Sequence, residues 1–159
     1  FLWHYNQFPL TLVAMLLLLA TLIVTYLRLR VGQTAVTSGE KWAVHLPFSI
    51  YLSWITVATV ANITDVLDFL KWDRFGIAPE IWMGIVLAAV LAIAALMNFT
   101  RRDVAYATVL LWALAGISVK QAAVPAVVVS TWITFGLVAL TLAAALLVGK
   151  SRQVKKVQA

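Results

Sequence analysis

The stretch of residues 45–65 carries the side chains best suited to bind a ligand. It is apolar overall but contains a tyrosine, a tryptophan, several hydroxyl groups and one amide. On an α-helix, which advances about 100° per residue, Tyr51, Trp54 and Asn62 fall on one side. The opposite side carries four hydroxyl residues, Ser49, Ser53, Thr56 and Thr64. Because lipid accepts no hydrogen bonds, we expect this helix to be enclosed by protein or ligand, with its aromatic and amide side facing inward.

Three other tryptophans are candidates for the same ligand. Trp112 and Trp132 lie near the middle of later apolar runs. With Trp54 they would converge at one depth, where indole faces bind a flat ring well. The indole N–H of Trp82, together with the amide of Asn62, would orient a propionate or a carbonyl group. The alternative is that these tryptophans fill helix packing and interfacial belts, and both interpretations stay open.

His45 has two alternative roles. As the last residue before Leu46 and Pro47 it would cap the start of a helix or meet lipid phosphates. Its neutral imidazole would otherwise be an axial ligand for the metal of a tetrapyrrole. The sequence offers no other metal ligands at suitable spacing, because it has only two histidines, distant in sequence, and no cysteine.

Composition predicts an integral membrane protein. Hydrophobic residues make up 64% of the chain and charged residues 11%, with a mean hydropathy of +0.98. A soluble domain rarely reaches this balance, whereas membrane helices require it. The predicted fold class is therefore all-α, an integral membrane helical bundle forming one domain over residues 1–159. Five apolar runs give its transmembrane helices, at about 10–29, 46–64, 81–100, 104–119 and 123–148.

The distribution of Lys and Arg predicts the orientation. Nine of the twelve basic residues fall in three segments, which are the 28–41 loop, the 101–102 turn and the tail after residue 149. Five helices place all three on one side, and the positive-inside rule makes that side the cytoplasm of a bacterial inner membrane. Phe1 then lies outside. The net charge of +6 is explained by attraction to the anionic lipids of the cytoplasmic leaflet, so it is not evidence for nucleic-acid binding. The predicted partners are the lipid bilayer and, as an open alternative, a second copy or other membrane subunits.

Three sequence segments resemble one known family. They are the run LPFSIYLSWITVATVAN at 46–62, the opening Phe-Leu-Trp-His-Tyr, and the stretch from Arg102-Asp-Val-Ala-Tyr to Leu-Trp112-Ala. The likeness is to the TspO/MBR-related tryptophan-rich sensory proteins, in their longer bacterial branch. Those relatives carry further upstream helices, including a Pro-Ala-Gly…Phe-Ser-Ile-Trp segment that this sequence lacks. The start of the chain therefore looks internal, and part of the family's ligand pocket would lie upstream.

The resemblance implies a function. It predicts a helical membrane protein that binds a porphyrin or chlorophyll-type tetrapyrrole, a sterol or a similar lipid-like ligand. The alternative is an accessory structural subunit of a larger membrane complex, such as a photosynthetic pigment–protein assembly. A transporter ranks last, because no charged residue lies within the hydrocarbon core, where proton and ion relays normally have one. We expect no enzyme activity, since the sequence shows no nucleophile–base pair.

Overall fold

The computed structural model describes residue 5 and residues 7–157, with side chains as far as Gly149. Every regular element in this part of the chain is helical. The elements in order are α1 (Phe8–Arg28), α2 (Ser38–Glu40), a π-helical turn (Lys41–His45), α3 (Leu46–Phe69), a short 3-10 turn (Arg74–Gly76), α4 (Pro79–Arg101), α5 (Val104–Lys120) and α6 (Pro125–Val157).

Each of the five predicted apolar runs corresponds to a helix. Four helical segments are long and apolar enough to cross a membrane, and α5 is a shorter apolar helix of 17 residues. At 1.5 Å per residue α5 is about 25 Å long, slightly less than the roughly 30 Å hydrocarbon core. The predicted all-α membrane fold class is confirmed.

The chain divides into two compact units, Phe1–Trp82 and Met83–Ala159. The first contains α1, α2, α3 and the start of α4. The second contains the rest of α4, with α5 and α6. The single domain expected over residues 1–159 stays a prediction.

In the first unit, α1 packs along α3. The buried residues of α3 follow a spacing of three and four residues, through Leu52, Ile55, Thr59, Asn62 and Val66. This spacing averages 3.5 residues, so the buried stripe winds slowly around a helix of 3.6 residues per turn. A stripe of this kind is typical of two helices that cross at a shallow angle with interlocking side chains.

The buried stripe of α3 includes Asn62 but neither of the two aromatic residues predicted to lie on the same side. Asn62 is buried as expected, but Tyr51 and Trp54 are each 45% exposed, and Ser49 and Ser53 on the opposite side are buried. The Ser49 hydroxyl donates to the carbonyl of His45 at 2.9 Å, so it needs no partner outside its own helix. Small residues at these positions also let helices approach closely. The inward orientation of these two aromatic residues therefore stays a prediction.

The second membrane helix was predicted to be enclosed by protein. Among the four long helical segments it has the largest buried share, which confirms this. One third (33%) of its apolar window is buried, against 17%, 11% and 22% in the other three. Its polar residues account for this, because serines, threonines and an amide suit contact with protein better than contact with lipid.

The helix that includes α3 starts earlier than the sequence suggested. The Thr37 hydroxyl accepts the N–H of Glu40 at 3.2 Å, which makes Thr37 the N-cap residue. Pro47 therefore lies inside a continuous helix rather than in its first turn. A proline there lacks a donor and crowds the preceding turn. The π-helical turn immediately before it, Lys41–His45, widens the backbone where this crowding occurs.

In the second unit, α5 packs against α6. Asp103 is the N-cap residue of α5, and its carboxylate accepts the N–H of Tyr106 at 3.1 Å. Both helices again bury residues at alternating spacings of three and four. On α5 these include Ala107, Leu110 and Leu114, and on α6 they include Thr131, Thr134, Val138 and Ala145. Trp112 and Trp132 lie off these stripes.

Candidate functional site

Tyr51 and Trp54 form an aromatic face on α3. They are separated by three residues on one helix, so they lie on the same side about one turn apart. Each exposes 45% of its surface. Ala58 and Ala61 continue this side of the helix, and Ala61 is exposed while Ala58 is half-buried. Because the two alanine side chains are short, a flat ring can stack on the exposed indole without meeting a bulky neighbour on this side of the helix.

Asn62 lies beside this face, but its amide forms a hydrogen bond within the protein. Its Nδ2 donates to the Thr11 hydroxyl oxygen at 3.1 Å, and that hydroxyl donates to the carbonyl of Phe8 at 2.6 Å. Both Asn62 and Thr11 are buried. The amide therefore links α3 to α1, which satisfies a group that would be costly to bury alone. A ligand contact for Asn62 stays a prediction.

His45 is buried in the π-helical turn, with 6% of its surface exposed. Its Nε2 has no hydrogen-bond partner among the residues that the structure describes. The side chain makes no capping hydrogen bond to α3, so the predicted capping role is wrong, because the helix already begins at Ser38. Axial ligation by this imidazole stays a prediction. Within the described residues, no group of three His, Cys, Asp or Glu side chains could hold a metal ion.

Trp82 belongs to a separate aromatic cluster. Its ring lies edge-on to Trp72, with centroids 4.9 Å apart, and Phe75 contacts Trp72 in the same manner at 5.1 Å. Edge-to-face pairs of this kind are favourable. The cluster lies at the connection between α3 and α4.

Trp112 and Trp132 lie in the second unit. Trp112 is 65% exposed and Trp132 is 49% exposed, and the Trp132 ring lies 5.1 Å from that of Phe135. Both rings are therefore available to lipid or to a ligand along much of their surface. The convergence of the three central indoles stays a prediction.

The sequence reasoning missed the buried amide of Asn98. This side chain is 0% exposed, and its Nδ2 donates to the Thr141 hydroxyl oxygen at 2.9 Å. The same group lies 3.4 Å from the carbonyl oxygen of Val138. These bonds link α4 to α6. An amide within an apolar run was the available signal, as it was for Asn62.

A family model described as "TSPO-like protein" matches residues 1–145. The chain belongs to the TSPO-like protein family. The match covers the aromatic face and both buried amides of this TSPO-like protein, and it ends before the basic tail. No curated protein and no solved structure shows significant similarity to the chain.

Proposed function

We propose that this TSPO-like membrane protein binds a flat hydrophobic ligand, of tetrapyrrole or sterol type, on the aromatic face of α3. The observation that carries the proposal is the exposure of Tyr51 and Trp54, 45% each, on the most enclosed of the four long helical segments. Membership of the TSPO-like family supports it.

The aromatic face suits a flat ligand for a physical reason. In a membrane, lipid tails compete with any apolar ligand, so burial of apolar surface alone gives little selectivity. Stacking on an indole adds about 0.5–1.5 kcal/mol beyond buried area. The tyrosine hydroxyl supplies a hydrogen-bonding group one turn away. Together they favour a ring system that has a polar edge.

The direct test is titration of the purified protein in mild detergent with metal-free protoporphyrin and, separately, with a sterol. Saturable quenching of tryptophan fluorescence at about one ligand per chain supports the proposal. Quenching that rises without saturation, as expected for partition into protein-free micelles, contradicts it. Repeating the titration with iron protoporphyrin tests His45, because axial ligation would add a shift of the main absorption band that is lost in His45→Ala.

One observation favours the alternative function, a structural subunit of a larger membrane complex. Gly84, Ala88 and Ala92 recur every four residues on α4 and are all exposed, and a side chain added at Gly84 would meet nothing within 4 Å. Small residues at this spacing are common where membrane helices associate. A native mass above that of one chain, lost in Ala88→Leu, would support a second copy or another subunit at this surface.

The orientation in the membrane is a further part of the proposal. In the predicted five-helix topology the three basic segments fall at the same end, so we expect them in the cytoplasm of a bacterial inner membrane. A green fluorescent reporter fused after Ala159 should fluoresce, and an alkaline phosphatase reporter at the same place should be inactive. The reverse pair of results would contradict this orientation.

A further inference from the structure

The aromatic face of α3 leads into two carboxylates. Asp65 follows Trp54 by eleven residues, which is almost three full turns of an α-helix, so the two residues lie about 20° apart around the helix axis. Asp68 follows one turn later and lies on this side as well. Both carboxylates belong to α3, which ends at Phe69, and both are exposed. We refer to Asp65 and Asp68 as the acidic end of the aromatic face.

Short side chains separate the indole from the acidic end. Ala58 and Ala61 occupy this side of the helix between Trp54 and Asp65. At 1.5 Å per residue, Asp65 lies about 10 Å beyond Ala58 along the helix axis. A ring that stacks over Trp54 and Ala58 could therefore extend a short side arm as far as the first carboxylate.

The end of α3 has a negative electrostatic potential. The last carbonyl groups of a helix carry a partial negative charge, and a Lys or Arg side chain in the last turn commonly offsets it. α3 has no basic residue in its last turn, and Asp68 adds a full negative charge there. A cation bound at this place would be attracted both to the carboxylates and to the end of the helix dipole.

The helix packed against α3 brings no cation to this end. The Thr11 hydroxyl, near the start of α1, accepts the amide N–H of Asn62 at 3.1 Å, and the rings of Phe8 and Phe69 lie 4.9 Å apart. The start of α1 therefore lies beside the end of α3. The single charged residue of α1 is Arg28, at the opposite end of that helix.

The connection that follows α3 does not neutralise the acidic end either. Lys71 and Arg74 are its cations, and in the described part of the chain neither forms an ion pair with Asp65 or Asp68. Residues 65–80 contain two basic and four acidic residues, which gives 2 − 4 = −2. The charge of this region therefore favours a cationic ligand.

We propose that the ligand of the aromatic face carries an ammonium group, which the acidic end binds. This inference rests on the function proposed above and specifies its ligand class, a flat apolar ring with a cationic side arm. The apolar run of α3 ends at residue 64, so the ring would lie in the hydrocarbon and the ammonium group at the level of the lipid headgroups. An anionic ring such as protoporphyrin would bind with its carboxylates turned away from Asp65, toward the Tyr51 hydroxyl.

The test is fluorescence titration of the full chain in a non-ionic detergent with pyrenebutylamine, pyrenebutanol and pyrenebutyric acid. These probes share one flat ring and differ in the terminal group, which at neutral pH is an ammonium, a hydroxyl or a carboxylate. We expect the ammonium probe to bind most tightly and the carboxylate probe most weakly. Asp65→Asn should weaken binding of the ammonium probe about fivefold, as expected for loss of one exposed pair of opposite charges. Its affinity for the hydroxyl probe should change less than about twofold, which also shows that the variant is folded.

Glu40→Gln is the control for the net charge of the protein. Glu40 is an exposed carboxylate of the same unit, and it lies 25 residues before Asp65 on the same continuous helix. That separation is roughly 35 Å, several times the screening length at physiological salt. Affinity for the ammonium probe should therefore change less than about twofold in Glu40→Gln, and Asp65→Glu, which keeps the charge, should retain most of the binding. Equal losses in Asp65→Asn and Glu40→Gln would overturn the proposal, as would equal affinities of the wild-type protein for the three probes.

The Trp54→Ala variant separates this inference from the proposed function. It should weaken binding of all three probes, because they share the ring, whereas Asp65→Asn should act on the ammonium probe alone. A loss in Trp54→Ala with none in Asp65→Asn would overturn the acidic end and leave the ring site supported. Unchanged binding of all three probes in Trp54→Ala would contradict the proposed function itself. Displacement of the ammonium probe by an equal amount of phosphatidylethanolamine would show that the acidic end binds a lipid headgroup, and it would overturn a ring-bearing ligand.

Discussion

Replacing Leu114 by alanine should lower the free energy of unfolding by roughly 2–5 kcal/mol. Leu114 is 2% exposed and belongs to the buried stripe of α5, the helix that packs against α6. Membrane helices have no hydrophobic effect to hold them together, so tight packing supplies much of their association. Truncation of this side chain leaves a cavity whose lining atoms lose their contacts.

The matched control is Leu140→Ala, which makes the same chemical change on α6. Leu140 is 65% exposed, so its truncation removes contact with lipid or detergent and opens no cavity. We expect a change within about 0.5 kcal/mol. Unfolding can be followed by circular dichroism as a denaturing detergent is added. Equal losses in the two variants would show that Leu114 is not part of a packed core.

The fold class could be predicted from sequence because the length of an apolar run is a direct physical signal. A run of about 20 uncharged residues is long enough to cross the hydrocarbon core as a helix. The Arg101 and Arg102 turn and the polar residues near Lys120 separate the later runs clearly. All five runs are helical in the structure.

The orientation of α3 could not be predicted in the same way. The sequence analysis grouped Trp54 with Asn62, although eight residues at 100° per residue place them about 80° apart. The buried residues of α3 include Asn62 but not Trp54, so a grouping this broad could not predict which of the two would be buried. The hydroxyl groups gave no guidance, because Ser49 bonds to a carbonyl of its own helix.

One local sequence signal marks the start of the helix that includes α3. The sequence Thr37-Ser-Gly-Glu40 has the pattern of a helix N-terminus, and it would have moved the start of the helix and the interpretation of His45. One close approach could not be predicted from sequence: a Cβ on Gly149 would lie only 2.9 Å from Cζ and Nε of Arg102. These two residues are 47 positions apart in the chain, and whether they meet depends on how the helices pack.

Replacing Trp54 by alanine should weaken the binding of the flat ligand with little effect on stability. Loss of one stacked aromatic residue costs about 1–3 kcal/mol, which is about a 5- to 150-fold rise in Kd. Because Trp54 is 45% exposed, its removal opens a smaller cavity than removal of a fully buried ring. Tyr51→Ala should act in the same direction, since it removes the other half of the aromatic face.

The control is Trp42→Ala. Trp42 lies in the π-helical turn of the same unit and is 70% exposed, so it matches Trp54 in chemistry and in access to solvent or lipid. Both variants lose one indole, which keeps the change in tryptophan fluorescence comparable. The ligand affinity of Trp42→Ala should stay within about twofold of the affinity of the wild-type protein, as expected for an exposed residue outside a binding site.

The measurement that tests the proposed function most directly is the Kd of protoporphyrin for these two variants, determined from the absorption of the ligand. We predict that Trp54→Ala binds protoporphyrin about 5- to 150-fold more weakly than the wild-type protein. Trp42→Ala should bind it as tightly as the wild-type protein does, and both variants should melt at similar temperatures. Equal affinities in all three proteins would contradict a ligand site on the aromatic face of α3.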